Sequence, residues 1–182
     1  MDKKLCRNLL ITFFFLVVIA FPIPLIIFNL RNHNPELYTL KIEGNVSQEI
    51  EYVYEDLVDG VYGLVEDQIF TYINQPPYNT QYDVVYTGVS LWALLTYTSI
   101  LLPNATALYF KSYDLYYTEE ITLEKVENNP DGVIIAFQKG DKLLKYNSDD
   151  GGPMRAIVNL SVTLPDYCSK YLAKYLNTIV VV

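Results

Sequence analysis

The chain has 182 residues, of which 51% are apolar, 14% aromatic and 19% charged, with a formal net charge of −8. That length holds one domain of ordinary size, and 17 tyrosines with 8 phenylalanines supply enough surface to bury that a disordered chain is excluded. Residues 1–33 sum to +3 and residues 34–182 to −11, so the body lacks the positive field that draws proteins to nucleic acid, and no nucleic-acid partner is expected.

Residues 9–28 are almost unbroken hydrocarbon, interrupted only by Thr12, Pro22 and Pro24. At about 1.5 Å per residue this run reaches roughly 30 Å, the thickness of a bilayer core. Lys3, Lys4 and Arg7 precede it and Arg31 follows, so the positive-inside rule places residues 1–8 in the cytoplasm and the body outside. A secretory signal shares this order, but its apolar core is about 7–15 residues and ends in a small-x-small cleavage site, which is missing here. The expectation is an uncleaved signal anchor at 9–28, one transmembrane helix in the cell membrane, with residues 29–37 as a tether. Cys6 and Cys168 then lie on opposite sides and cannot pair. Sequons at Asn45, Asn104 and Asn159 are glycosylation candidates in the exterior part.

In the body, residues 38–46 (YTLKIEGNV) alternate into a strand that ends at a glycine turn. Residues 47–58 place Ile50, Val53, Tyr54 and Leu57 at helical spacing, with Ser47 as N-cap. Residues 60–83 show no firm period, and Pro76 with Pro77 marks a loop; residues 84–86 are a short apolar stretch. Leu91, Leu94, Leu95 and residues 100–102 predict a buried helix over 90–102, stopped by Pro103 and Asn104. Residues 105–110, 113–117 and 132–138 have the β-branched and aromatic makeup of strands, with a turn at 128–131. Residues 143–146 suggest a short strand, and SDDGGP at 148–153 a turn before a strand-like run at 154–162. A helical pattern at 167–175 precedes a terminal strand at 178–182. Helices and strands mix without βαβ alternation, so the predicted class is α+β.

The inventory limits the chemistry. His33 is the one histidine and sits beside the membrane segment, so triads and histidine metal sites in the body are excluded. A lone Cys168 has no histidine to activate it and reads as a small buried hydrophobe. Glu119 with Glu120, and Asp149 with Asp150, are adjacent in sequence; strand neighbours point to opposite faces, so adjacency makes no acid–base couple. Asn147, Asp149 and Asp150 lack the spacing of a calcium loop and read as a solvated turn. The tyrosines all follow residue 37 and fit half-buried strand positions, or a contact surface.

The ordered segments LKIEGNV (40–46), EDL (55–57), YTGVSLWALL (86–95), KSYDLYYTEEITL (111–123), GVIIAFQKGDKLL (132–144), GGPMRAIV (151–158) and KYLNTIVVV (174–182) resemble the molybdopterin-binding domain of the sulfite oxidase family, over nearly all of 38–182. The resemblance implies mixed β-sheets with short helices. It also implies a cysteine thiolate on molybdenum, just upstream of the counterpart of YTGVSL, because soft thiolate ligation suits that metal. Residues 72–85 (YINQPPYNTQYDVV) contain no cysteine. Arg155 matches the arginine of the family's GGPxR motif, and Lys174 the lysine of a terminal Lys-Trp pair near the pterin phosphate, so by resemblance these two are the cofactor-binding candidates. The asparagine, histidine and arginine that complete the family's pterin pocket have no match.

The expectation is therefore a membrane-anchored extracytoplasmic domain of this fold without molybdenum catalysis, serving as a ligand-binding or interaction module toward a small molecule or a surface protein. Two alternatives stand beside it: a divergent molybdopterin-dependent oxidoreductase, and a filament subunit joined through a free strand edge such as 178–182.

Overall fold

The computed structural model describes residues 38–60, 62–73, 81–163 and 168–182, which fall in one compact unit, Glu36–Val182. The expected anchor at 9–28, the tether and the Pro76–Pro77 loop lie outside the described residues; among those described, no helix is long and apolar enough to cross a membrane.

Two five-stranded sheets carry the fold. The first has the order β2-β1-β10-β5-β6, built from β1 (Thr39–Gly44), β2 (Ile50–Val53), β5 (Ala107–Ser112), β6 (Ile121–Thr122) and β10 (Leu176–Val181). The β1–β10 pair is parallel and its other pairs are antiparallel. In the second, β3 (Leu64–Ile73), β4 (Gln81–Ser90) and β7 (Val133–Lys139) run antiparallel, and the far edge of β7 is shared by β8 (Lys142–Leu143) and β9 (Arg155–Val158). Among the described residues, four short helices fill the connections: α1 (Tyr54–Val58), α2 (Leu91–Tyr97), α3 (Leu123–Glu127) and α4 (Leu160–Thr163).

Strand alternation builds two cores. Leu40, Ile42, Leu108, Phe110 and Ile179 of the first sheet join Val89, Val133, Ile135 and Val158 of the second in one buried cluster, together with Leu91, Leu94 and Leu95 of α2. Ile134, Ala136 and Ile157 point the other way and meet Phe70, Tyr86 and Leu144 in a smaller cluster. β7 is thus buried on both faces, which explains its unbroken apolar run VIIAF.

Several predicted elements change type. Residues 50–53 form an edge strand rather than the first half of a helix, because Ile50 and Tyr52 pair with Ile42 and Leu40 across β1; only Tyr54–Val58 is helical. The stretch with no firm period holds the long β3–β4 hairpin. Its alternation is broken by a bulge between Val65 and Gln68, where Asp67 sits at φ 46° and its amide donates to Thr87 Oγ1 at 3.1 Å. α2 is shorter than predicted; Ser90 caps it by accepting from the Ala93 amide at 3.2 Å. Residues 113–117 are a turn, with Leu115 at φ 66°, because the chain must reverse for β6 to return along β5. The run at 154–162 splits into β9 and α4, and the helix expected at 167–175 reduces to a 3₁₀ turn at Cys168–Lys170. Beyond that turn the backbone pairs with β9 through Ala156 and Ala173. β10 lies between β1 and β5, so the 178–182 segment is paired on both sides and does not offer the free edge expected of it.

The tyrosines line the seams. Tyr52, Tyr62 and Tyr97 stack edge to face with centroids 5.1 and 5.2 Å apart, and Tyr54 bridges Tyr38 and Phe137. Burial holds the Tyr52 and Tyr54 phenols above the ordinary value of 10.0. A group with a raised folded pKa gives its full stability below the unfolded value and loses it as pH rises through the folded one. Alkaline denaturation is therefore expected to set in above about pH 10, and Tyr54→Phe to make the loss shallower in a pH series of chemical melts; an unchanged profile would refute the assignment.

Candidate functional site

The two cofactor-binding candidates meet. The Ala156–Ala173 bridge is antiparallel, which places Arg155 opposite Lys174, and the pairing continues through Leu176 N to Met154 O (3.0 Å) and Tyr175 N to Gly151 O (2.6 Å). Gly151, at φ 62°, is required here: a Cβ would fall within 3 Å of the Cβ, Cγ and Cδ of Lys174.

Both cations address one turn, residues 147–150. Lys174 Nζ donates to Ser148 O at 2.7 Å, and Arg155 Nη1 donates to Asp150 O at 3.1 Å. The Tyr175 hydroxyl donates to Asn147 O at 2.8 Å. Within the turn, Asn147 Oδ1 accepts from the amides of Asp149 (3.0 Å) and Asp150 (2.8 Å), an Asx arrangement. The solvated turn predicted for this segment is what the structure shows, with Asn147 and Asp150 bonded to each other through Asn147 Nδ2 at 3.0 Å.

Arg155 is 9% exposed. Its guanidinium lies 5.9 Å from the Tyr86 ring centre, and Nη1 also reaches the Tyr86 hydroxyl at 3.4 Å. Its Nε is buried with no acceptor. None of the three ion pairs found among the described residues, Lys41 with Glu43, Lys41 with Glu49 and Lys170 with Glu119, involves Arg155 or Lys174. A buried cation held only by neutral acceptors has donor capacity left for an anion. Next to Lys174 lies a cavity of about 240 Å³ lined by Ser112, Asp114, Tyr116, Leu172 and Lys174. On the Asp150 side a larger groove of about 540 Å³ includes Asp83, Lys139, Asp141 and Lys142.

The family whose sequence model matches residues 27–182 is the oxidoreductase molybdopterin binding domain. The chain belongs to that family. Its fold is similar to that of the sulfane dehydrogenase SoxCD from Paracoccus pantotrophus, at 17% identity and a TM-score of 0.59, over 82% of this chain and 39% of that one. The chain thus spans about two-fifths of the length of the structure it matches. No curated protein gives a match.

The donor set fits one end of the family's cofactor and not the other. Arg155, with an unpartnered Nε, and Lys174 suit a phosphate group. For the metal, residues 72–85, where the resemblance places the thiolate, have no cysteine, and no cluster of three or more histidine, cysteine, aspartate or glutamate side chains occurs among the described residues. Cys168 begins the 3₁₀ turn, well after the GGPMR segment; its side chain lies outside the described set.

The sequons differ in setting. Asn104 is exposed in the turn before β5, whereas Asn159 Nδ2, the atom a glycan would take, donates to Ile69 O at 3.3 Å. Asn45 is half-buried, and its amide donates to Val181 O at 2.8 Å.

Reading the sequence alone misses Tyr86 as a partner of Arg155, and Asn147 and Tyr175 as the residues that organise and pin the turn both cations hold. Asn147 carries a local signal, an asparagine two residues before an aspartate and four before a glycine; the other two become visible only through strand pairing.

Proposed function

We propose that the chain is a membrane-anchored, extracytoplasmic member of the molybdopterin-binding domain family that works by binding or contact and does not turn over substrate at molybdenum. The observation that carries this reading is the donor set: a buried, anion-ready arginine beside a lysine, on a scaffold whose expected thiolate position holds no cysteine. A hard oxygen ligand is a poor substitute for thiolate on this metal. The anchor follows from the apolar run at 9–28 with its basic leading flank. The acidic body directs the domain toward neutral or cationic partners, except at the Arg155–Lys174 pair, which offers a small anionic molecule the one buried positive charge among the described residues.

The test is metal and cofactor analysis of full-length protein purified from its native membrane. The expected result is no stoichiometric molybdenum or tungsten and no pterin fluorescence after oxidation. One metal atom per chain, retained through gel filtration, would instead establish the divergent oxidoreductase.

A further inference from the structure

The 147–150 turn is held from two directions. Asn147 Oδ1 organises it internally through the Asp149 and Asp150 amides, and Lys174, Arg155 and Tyr175 pin the carbonyls of Ser148, Asp150 and Asn147 from outside. An ammonium and a buried guanidinium are thereby spent on neutral oxygens, although either would bond a charged acceptor more strongly. The turn also carries the Asp149 and Asp150 carboxylates, which repel any anion approaching the pair while the turn is in place.

We infer that this turn is a built-in stand-in ligand: its carbonyls take a donor each from Lys174 and Arg155, and a phosphate or diphosphate group competes with it for the pair and binds fully by displacing it. Displacement removes two competing carbonyls and two repelling carboxylates together, so the site has a closed and an open form. The Asx bonds of Asn147 set the balance between them. This deepens the proposed function by giving the Arg155–Lys174 site its regulation, and it rests on the reading that these cations are what the site offers. Metal analysis decides that reading and anion binding decides this one, so the two fail separately.

The experiment uses the full chain in detergent, inorganic pyrophosphate as probe, and calorimetry at constant ionic strength. Asn147→Ala removes the acceptor that organises the turn, and it is expected to tighten pyrophosphate binding roughly fivefold to tenfold over wild type, the worth of about one hydrogen bond. Adding Arg155→Met or Lys174→Met to Asn147→Ala is expected to abolish the gain. In wild type, saturating pyrophosphate is expected to speed hydrogen exchange at the Asp149 and Asp150 amides, a readout that stands if Asn147→Ala does not fold. Equal affinity in wild type and a folded Asn147→Ala variant, a gain that survives loss of either cation, slowed or unchanged exchange at those amides, or no binding to either protein would each overturn the inference.

Discussion

Phe110→Ala is expected to cost about 3–5 kcal/mol of folding stability, read as a lower denaturation midpoint with an unchanged slope. Phe110 is fully buried in the cluster between the two sheets and is one of the two largest fully buried side chains, with Phe70. It stands on β5, paired with Ile179 of β10 on one side and bonded to Thr118 on the other, so the backbone is fixed on both sides and collapse into the void is hindered. Its backbone bonds to Thr118, N to Oγ1 at 2.9 Å and O from the Thr118 amide at 3.0 Å, survive the substitution, so the loss reports packing alone. Tyr109→Ala, at the half-buried neighbouring position on the opposite face, is the control and is expected to cost much less. Similar losses at both positions would show that the interface between the sheets is not the main core.

Gly88→Ala is expected to cost about 1–3 kcal/mol or more, although it adds one methyl group. A Cβ at Gly88 would lie within 3 Å of Ile135 O, Ile135 C and Ala136 Cα. All three are backbone atoms of β7, and Gly88 is paired with Ala136 where the register shifts after Thr87, so no side chain can swing aside. Gly140→Ala gives the contrast: its Cβ would meet nothing within 4 Å, and only the φ of 56° opposes it, a penalty of about 1–2 kcal/mol. Thermal melts of the two variants separate backbone collision from conformational strain. A Gly88→Ala melt matching wild type would mean that β4 and β7 can part without cost. Gly88 lies two residues from Tyr86, whose ring and hydroxyl hold Arg155, so the variant is also expected to loosen the candidate site.

Much of the first sheet was legible residue by residue. Alternation identified β1, β-branched and aromatic makeup identified the core of β5, and the terminal strand was expected as well; each has one face buried and one half-exposed. β7 was legible as an apolar run. What failed was local pattern under tertiary control. Ile50 and Tyr54 satisfy helical spacing, but an available edge on β1 turns residues 50–53 into a strand. The bulge at Asp67 shifts the alternation of β3 in mid-strand, so a period of two cannot be followed through it. Residues 113–117 are rich in strand formers and still form a turn, since Tyr113 N and Ser112 N are taken by Tyr175 O and Tyr116 O.

The sequence by itself determined the charge division between the first 33 residues and the body, the lack of a cysteine in residues 72–85 and the α+β class, because these depend on composition and order alone. It also named Arg155 and Lys174, through the motifs that surround them. Only the tertiary structure decided that the two cations stand opposite one another and hold the same turn, that Arg155 is buried over Tyr86 with a donor to spare, and that the terminal strand is interior. Those facts depend on which strands pair and in what register, and pairing between segments tens of residues apart is set by the packing of the whole core.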